Sequence, residues 1–151
     1  SGNIKMARRL LGRPPTLHGF VTKGDKKGQE LGFPTANIET GSMIILPPFG
    51  VYAAVGEVGG AYLESVFYLG TRPTFEKNEL RLELHFLNGL DWDLYDKEVA
   101  VHLIDHLRED KKFTNEEELR LAIANDVENA KEILRDSSWE HDLKKSKIFR
   151  R

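Results

Sequence analysis

Alternating apolar and polar positions mark a series of short β-strands in the first two thirds of the chain. The expected strands cover residues 17–22, 50–58, 61–69, 80–87 and 99–107. Two of these strands flank Gly59-Gly60, a pair that strongly indicates a β-hairpin. About six antiparallel strands separated by turns predict a mainly β protein built as a small closed barrel, because closure leaves no unpaired strand edges.

The strand at residues 80–87 shows the clearest alternation. Arg81, Glu83 and His85 fall on one of its faces, and the leucines and Phe86 fall on the other. A carboxylate is costly inside a barrel and tolerated outside it, so Glu83 is expected on the outer face. By pattern alone, a surface glutamate beside a basic neighbour is the favoured interpretation of Glu83.

A change to helical spacing near residue 114 predicts one long helix after the barrel. Thr114 and Glu117 fit a capping box in which Thr114 is the N-cap. A single apolar stripe follows: Leu119, Ile123, Val127, Ala130 and Leu134. The predicted organisation is a connector at 1–15, a barrel with its packed helix at 16–136, and a tail at 137–151, the basic end of which is expected to be solvated or loosely docked.

The composition describes an ordinary globular chain of 151 residues, a length that suits one domain. The formal net charge of −2 and the lack of a basic stripe count against a nucleic-acid partner. No apolar run reaches membrane-spanning length, so no membrane association is expected. The absence of cysteine excludes disulfides and is consistent with a cytoplasmic protein. We expect a monomer.

The stretch from Leu31 to Asn37, with the sequence LGFPTAN, carries the first candidate chemistry. Pro34 makes a helix unfavourable here, and the residue before it is pushed towards an extended conformation. In an extended segment the Thr35 hydroxyl and the Asn37 carboxamide point to the same side. Two neutral oxygen ligands suit a hard cation that keeps waters and phosphates as its other ligands. Mg²⁺ is the predicted metal, and the choice among divalent cations stays open.

A glycine-rich segment lies just upstream of this stretch. Gly24 and Gly28 enclose Lys26 and Lys27, so backbone amides and positive charge together could hold a phosphate. The segment is not a P-loop, because no Gly-Lys-Ser/Thr sequence opens a helix. A hairpin turn with solvated lysines is the favoured interpretation of the glycine pair alone. Its position beside Pro-Thr-Ala-Asn shifts the balance towards phosphate binding.

Together, these residues resemble the signature of the riboflavin kinase family. The matching motifs follow one another between about residues 10 and 134. They are Val21-x-x-Gly24-x-x-x-Gly28-x-x-Leu31-Gly32-Phe33-Pro34-Thr35-Ala36-Asn37, Leu69-Gly70-Thr71-Arg72-Pro73-Thr74-Phe75, Leu82-Glu83-Leu84-His85, Asp93-Leu94-Tyr95 and Leu107-Arg108-x-x-Lys111-x-Phe113. The resemblance implies a Greek-key barrel with a C-terminal helix that transfers the ATP γ-phosphate to the riboflavin 5′-hydroxyl. Residues 7–14 also resemble the connector of bifunctional enzymes with an upstream FMN adenylyltransferase domain, and the presence of such a domain stays open.

The resemblance also implies a role for each candidate site residue. Glu83 corresponds to the base that takes the proton of the riboflavin hydroxyl, which reverses the interpretation from pattern alone. The implied ATP-binding residues are Gly24, Gly28, Gln29, Thr35, Phe86 and Tyr95, the implied metal ligands are Thr35 and Asn37, and the implied flavin contacts are Arg108, Lys111 and Phe113. Without the resemblance, Phe113 is equally well explained as a hydrophobic staple at the helix entry.

Three positions depart from the family pattern. Gln29 stands where Arg or Lys is usual, Tyr68 where Asn is common, and Asp96 in place of the Gly that usually follows Asp-Leu-Tyr. None of them removes a catalytic group. Two rival classes are a flavin-binding barrel without catalysis, which leaves Pro-Thr-Ala-Asn unexplained, and an oligonucleotide-binding barrel, which the net charge disfavours.

Overall fold

The computed structural model describes residues 4, 14–22, 35–41, 45–73, 78–89, 94–136 and 138–148. The predicted connector at 1–15 lies almost entirely outside these residues. From residue 14 onwards the described elements are β1 (Thr16–Thr22), β2 (Ala36–Glu39), β3 (Gly50–Val58), β4 (Ala61–Pro73), β5 (Asn78–Phe86), β6 (Glu98–Arg108), α1 (Glu116–Leu134) and α2 (Ser138–Ile148).

The six strands close into an antiparallel barrel in the order β1-β2-β5-β4-β3-β6. Strands β3, β4 and β5 follow one another by direct connections, and β6 returns to lie beside β3, which is a Greek key. The barrel closes where β1 pairs with β6, from Thr16 opposite His102 to Phe20 opposite Glu98. The predicted closed barrel is confirmed, and closure leaves no unpaired sheet edge.

The β3–β4 hairpin turns at the predicted glycines. Gly59 and Gly60 have φ values of 57° and 84°. A two-residue turn with positive φ at both central positions matches the right-handed twist of the flanking strands. Because an L side chain is strained at such φ values, glycine is the residue that makes this turn at low cost.

Strand β5 shows why the alternating pattern places one face in the barrel interior. Leu82, Leu84 and Phe86 are buried and belong to the interior core. Arg81 and Glu83 point outwards and keep about a fifth of their side-chain surface exposed (23% and 20%). A register slip of one residue would exchange these two faces, which the burial of the apolar side chains strongly disfavours.

A second core lies between the outer face of the barrel and the helices. Val51 and Ala53 of β3 pack there with Val127, Ala130 and Leu134 of α1. The helix thereby covers an apolar part of the outer sheet surface that would otherwise meet water. The prediction of a helix packed on the barrel is confirmed.

Helix α1 begins one residue later than the sequence predicts. Asn115 is the N-cap, and its side-chain oxygen accepts a hydrogen bond from Glu118 N at 2.8 Å. Glu118 Oε2 in turn accepts hydrogen bonds from Thr114 N and Oγ1, at 3.3 and 2.8 Å. Glu117, the predicted N3 residue, pairs instead with Arg120. The sequence offers two capping boxes, Thr114 with Glu117 and Asn115 with Glu118. The structure uses the second, and Asn is at least as good an N-cap as Thr.

A second helix occupies the segment that was expected to be a tail. Trp139 and Leu143 of α2 are buried in the second core, and Trp139 Nε1 donates a hydrogen bond to the Leu134 carbonyl oxygen at 3.1 Å. The sequence did not predict this helix, and a solvated or loosely docked end was expected only from Lys144 onwards. Lys144 and Lys145 do stay exposed, as expected. Two apolar residues four apart form too short a stripe to indicate a packed helix.

Candidate active site

A cleft of about 250 Å³ lies between the outer face of β4 and β5 and the segment that joins β6 to α1. It brings together predicted residues that are far apart in the sequence: Thr35, Glu83, Arg108, Lys111 and Phe113. Each comes from a strand end, an outward strand position or the β6–α1 segment, so the barrel supplies a rigid base and the segment supplies a wall. The predicted hydroxyl, carboxylate, cations and aromatic ring therefore share one site.

Glu83 lies on β5, between its neighbouring strands β2 and β4. It lies directly opposite Asn37 of β2 and Tyr68 of β4 in the sheet register. Its Oε1 accepts a charge-assisted hydrogen bond from Arg81 Nη2. The expected basic neighbour is thus present, yet Glu83 also lines the cleft. The ion pair orients a carboxylate that a ligand in the cleft can reach.

The carboxylate of Asp126 on helix α1 holds the Arg108 side chain in place. Its Nε and Nη2 donate to Asp126 Oδ1 and Oδ2, both at 2.8 Å, and its Nη1 donates to the Glu109 carbonyl oxygen at 3.2 Å. Partial burial alone would lower the pKa of Arg108, but the hydrogen bonds and charge of Asp126 outweigh it and raise the pKa. The guanidinium is therefore charged and fixed in one plane.

Tyr68 lies beside this ion pair in the wall of the cleft. Its hydroxyl is buried close to the carboxylate of Asp126. Burial, followed by the nearby charge of Asp126, raises the pKa of Tyr68. The phenol is therefore neutral at any physiological pH. This residue replaces the Asn common in the family with a larger ring that can still donate a hydrogen bond.

Two cations lie near the Phe113 ring. Arg108 Cζ lies 5.5 Å and Lys111 Nζ 5.6 Å from the ring centroid, both within cation–π range. With Asn115 as N-cap, the staple position N′ belongs to Thr114 and not to Phe113. The alternative role of Phe113 as a helix staple is therefore disfavoured. An aromatic face with two cations suits a flat, oxygen-bearing ligand.

Several predicted residues lie elsewhere. Phe86 is buried in the interior core, with 4% of its surface exposed, and Tyr95 is 51% exposed in the loop before β6. Neither residue lines this cleft. Gly24, Gly28 and Gln29 fall outside the residues that the structure describes. The ATP contacts assigned to these five positions stay predictions.

Two supporting residues of the cleft, Asp126 and Gly70, were not among the predicted site residues, although each left a signal in the sequence. Asp126 falls within the apolar stripe of α1, beside Val127, and a carboxylate at such a position requires a buried partner. Gly70 left a weaker signal, as part of a family motif. A Cβ added at Gly70 would lie 2.6 Å from Asp110 Oδ2, so this glycine leaves room for Asp110 in the cleft wall.

The departure at Asp96 is accommodated by the backbone. Asp96 has a φ of 66°, in the left-handed region. Glycine, the usual residue of the family at this position, adopts this region without strain. Asp is among the residues that tolerate this region, at a cost of roughly 1 kcal/mol relative to Gly. Its N–H donates to the Val21 carbonyl oxygen at 2.8 Å. The loop conformation therefore does not require glycine.

The cleft on the outer face of the closed barrel brings together a carboxylate, a hydroxyl and an aromatic ring with two cations near it. A family model described as riboflavin kinase (Flavokinase) matches residues 11–134. The chain belongs to the riboflavin kinase family.

Curated relatives agree with this family membership. The chain is 33% identical over 132 residues to a bifunctional riboflavin kinase/FMN adenylyltransferase of Bacillus subtilis, covering 86% of this chain and 42% of the relative. It is 37% identical over 131 residues to the enzyme of the same description from Escherichia coli K12, covering 86% and 41%. The chain thus spans about two fifths of the length of these relatives.

A solved structure supports the fold. The riboflavin kinase from Trypanosoma brucei superposes with a TM-score of 0.59 at 24% identity, over 83% of this chain and 80% of that one.

Among the described residues, no helix is long and apolar enough to cross a membrane.

Proposed function

We propose that this chain is a riboflavin kinase, which converts riboflavin and ATP to FMN and ADP. The observation that carries the proposal is the position of Glu83, which lies in one cleft with Arg108 and Phe113 in a chain of this family. Phosphoryl transfer asks little covalent chemistry of the protein, so positioning and charge stabilisation are the main tasks of the site.

Glu83 acts as the base in this proposal. Its carboxylate accepts the proton of the riboflavin 5′-hydroxyl as that oxygen forms a bond to the γ-phosphorus. The bond from the γ-phosphorus to the bridging oxygen breaks at the same centre, and ADP leaves with that electron pair. Arg81 holds Glu83 Oε1 by its hydrogen bond and so limits the orientations of the carboxylate. Such positioning is what general-base catalysis requires.

Thr35 and Asn37 are proposed to hold the Mg²⁺ ion. Their neutral oxygens suit a hard cation that keeps water and phosphate ligands, and Asn37 lies directly opposite Glu83 on the neighbouring strand. When bound, the ion would neutralise charge on the transferring phosphates. The adjacency of Asn37 to Glu83 would bring the γ-phosphate and the hydroxyl that receives it to the same place.

The flavin is proposed to lie against the β6–α1 segment. The Phe113 ring offers an aromatic face, while Arg108 and Lys111 supply donors for oxygens of the flavin. The nucleotide would then occupy the side of Glu83 nearer to Thr35. We also expect this domain to act as a monomer in the cytoplasm.

The test is to incubate the purified chain with riboflavin, ATP and Mg²⁺ and to follow FMN by chromatography with fluorescence detection. FMN should form in proportion to time and enzyme, and should be absent without ATP. A flavin-binding barrel without catalysis would quench riboflavin fluorescence and form no FMN. That second result would overturn the proposed activity and leave flavin binding intact.

A further inference from the structure

Asp126 is the one carboxylate that is fully buried among the described residues, with 1% of its surface exposed. A buried ion pair is weak support for stability, because well-packed apolar residues of similar volume are often at least as stabilising. The neighbouring residues on this face of α1 are apolar, so an apolar side chain could also pack at position 126. A role beyond stability is therefore expected for Asp126.

The geometry of the pair indicates what that role is. Two parallel hydrogen bonds occupy the side edge of the guanidinium, formed by Nε and Nη2. The remaining bond, from Nη1, goes to the Glu109 carbonyl oxygen. Since a guanidinium has five N–H donors, one N–H on each terminal nitrogen makes no hydrogen bond to the described residues. Because the side-edge N–H of Nη2 is directed at Asp126, its second N–H lies at the end edge and can meet an acceptor there.

The pair also balances charge within the wall. Asp126 neutralises Arg108, so Arg108 brings oriented donors to the cleft without adding net charge. The guanidinium is at the same time held 5.5 Å from the Phe113 centroid. A flat ligand on Phe113 would therefore place its edge near the end edge of Arg108.

We propose that Asp126 is a positioning residue for the flavin, acting through the fork it makes with Arg108 so that the end edge of the guanidinium meets an oxygen acceptor of that ligand. The inference rests on the proposed function, since it takes the ligand of the Phe113 wall to be a flavin. The acceptor is a ring carbonyl of the isoalloxazine or a phosphate oxygen of FMN, which share the same chemistry.

The first test compares Asp126→Asn with Glu117→Gln. Glu117 is a matched control, because it is also a carboxylate of α1 that pairs with an arginine. Its pair with Arg120 lies on the exposed face of the helix. Asp126→Asn should weaken flavin binding by about 10- to 100-fold, the loss typical of a disrupted charged hydrogen bond. The KM for ATP and the Glu117→Gln affinities should stay within about twofold of the parent. Fluorescence titration with riboflavin and with FMN gives the dissociation constants.

The two titrations distinguish the acceptors. Equal losses for riboflavin and FMN would place the acceptor on the ring system, and a larger loss for FMN would place it on the phosphate. Either result supports the proposal. Parental affinity for both ligands in a folded Asp126→Asn variant would overturn it.

A double-mutant cycle separates positioning from general structural damage. In an Arg108→Ala background, Asp126→Asn should change flavin affinity by less than about twofold, because the side chain it orients is gone. Equal losses in both backgrounds would show that Asp126 does not act through Arg108. If Asp126→Asn does not fold, the apolar pair Arg108→Met with Asp126→Leu decides. It should melt cooperatively and bind flavin as weakly as Arg108→Ala, and parental affinity in this pair would overturn the proposal.

These readouts are binding constants, so they do not depend on turnover. A chain that binds flavin with the expected Asp126 dependence but forms no FMN would refute the kinase proposal alone. A chain that forms FMN with flavin affinity indifferent to Asp126 would refute the positioning role alone.

Discussion

Asn37 and Glu83 lie directly opposite each other on strands β2 and β5. Opposite residues of an antiparallel pair have Cβ atoms about 4.5–5.5 Å apart and project to the same face. A proposed metal ligand and the proposed base are thus fixed relative to each other by backbone pairing, with no loop between them. Sites built on strands hold such geometry more reliably than sites built on loops.

Removing either proposed metal ligand should raise the Mg²⁺ requirement. Asn37→Ala and Thr35→Ala should each shift the Mg²⁺ concentration that gives half-maximal kcat upwards, because one oxygen ligand is lost. Thr35→Ser is the matched control, since it keeps the hydroxyl and should follow the parental activation curve. Steady-state rates across a Mg²⁺ series provide the measurement. If the alanine variants also follow the parental curve, the cation is bound by other groups.

Gly70→Ala should impair flavin binding and leave the fold intact. The new Cβ would lie 2.6 Å from Asp110 Oδ2, and we expect this carboxylate, at the end of its side chain, to shift into the cleft. The KM for riboflavin should therefore rise several-fold at an unchanged melting temperature. Gly41→Ala is the matched control, because a Cβ there meets nothing within 4 Å. Adding Asp110→Ala to Gly70→Ala should restore part of the affinity, and no recovery would mean that the Cβ itself obstructs the ligand.

Much of the barrel could be predicted because strand burial is a local property of the sequence. The alternation through Leu82 and Leu84 and the glycines of the β3–β4 turn each report their surroundings within a few residues. Helix α2 could not be predicted in the same way. Trp139 and Leu143 become buried only because the barrel and α1 already present an apolar surface to them.

The site was predictable where a family motif marks it, and less so where it depends on pairing between elements. The sequence indicated Glu83, Arg108 and Phe113 individually. It could not indicate that Arg108 pairs with Asp126, which lies 18 residues away on another element. One sequence shows that a buried carboxylate needs a partner, but the fold decides which cation is near enough.

The N-cap offers a direct test of the frame of helix α1. Asn115→Ala should lower the free energy of unfolding by about 1 kcal/mol, because the Glu118 N–H loses its acceptor. Thr114→Ala should cost less, since its hydroxyl bonds an exposed carboxylate rather than a backbone group. Urea denaturation of both variants gives the comparison. A larger loss for Thr114→Ala would restore the frame that the sequence first suggested.

Glu83→Gln tests the chemistry most sharply. The amide keeps the size of the side chain and an acceptor oxygen, but it cannot take the proton of the riboflavin hydroxyl. General bases typically contribute ~10²–10⁴-fold, so kcat should fall by that amount while riboflavin and ATP still bind. Single-turnover FMN formation and fluorescence titration measure the two quantities separately.

Glu79→Gln is the matched control for this change, because Glu79 is an exposed glutamate on the same strand. It should leave kcat within about twofold of the parent, as surface substitutions usually do. The melting temperature of Glu83→Gln should also stay close to the parental value, since Glu83 is only partly buried and Gln still accepts the hydrogen bond from Arg81. If Glu83→Gln keeps more than about half of the parental kcat, the carboxylate is not the base, because a lost base should cost far more. The pair with Arg81 would then be the whole role of Glu83.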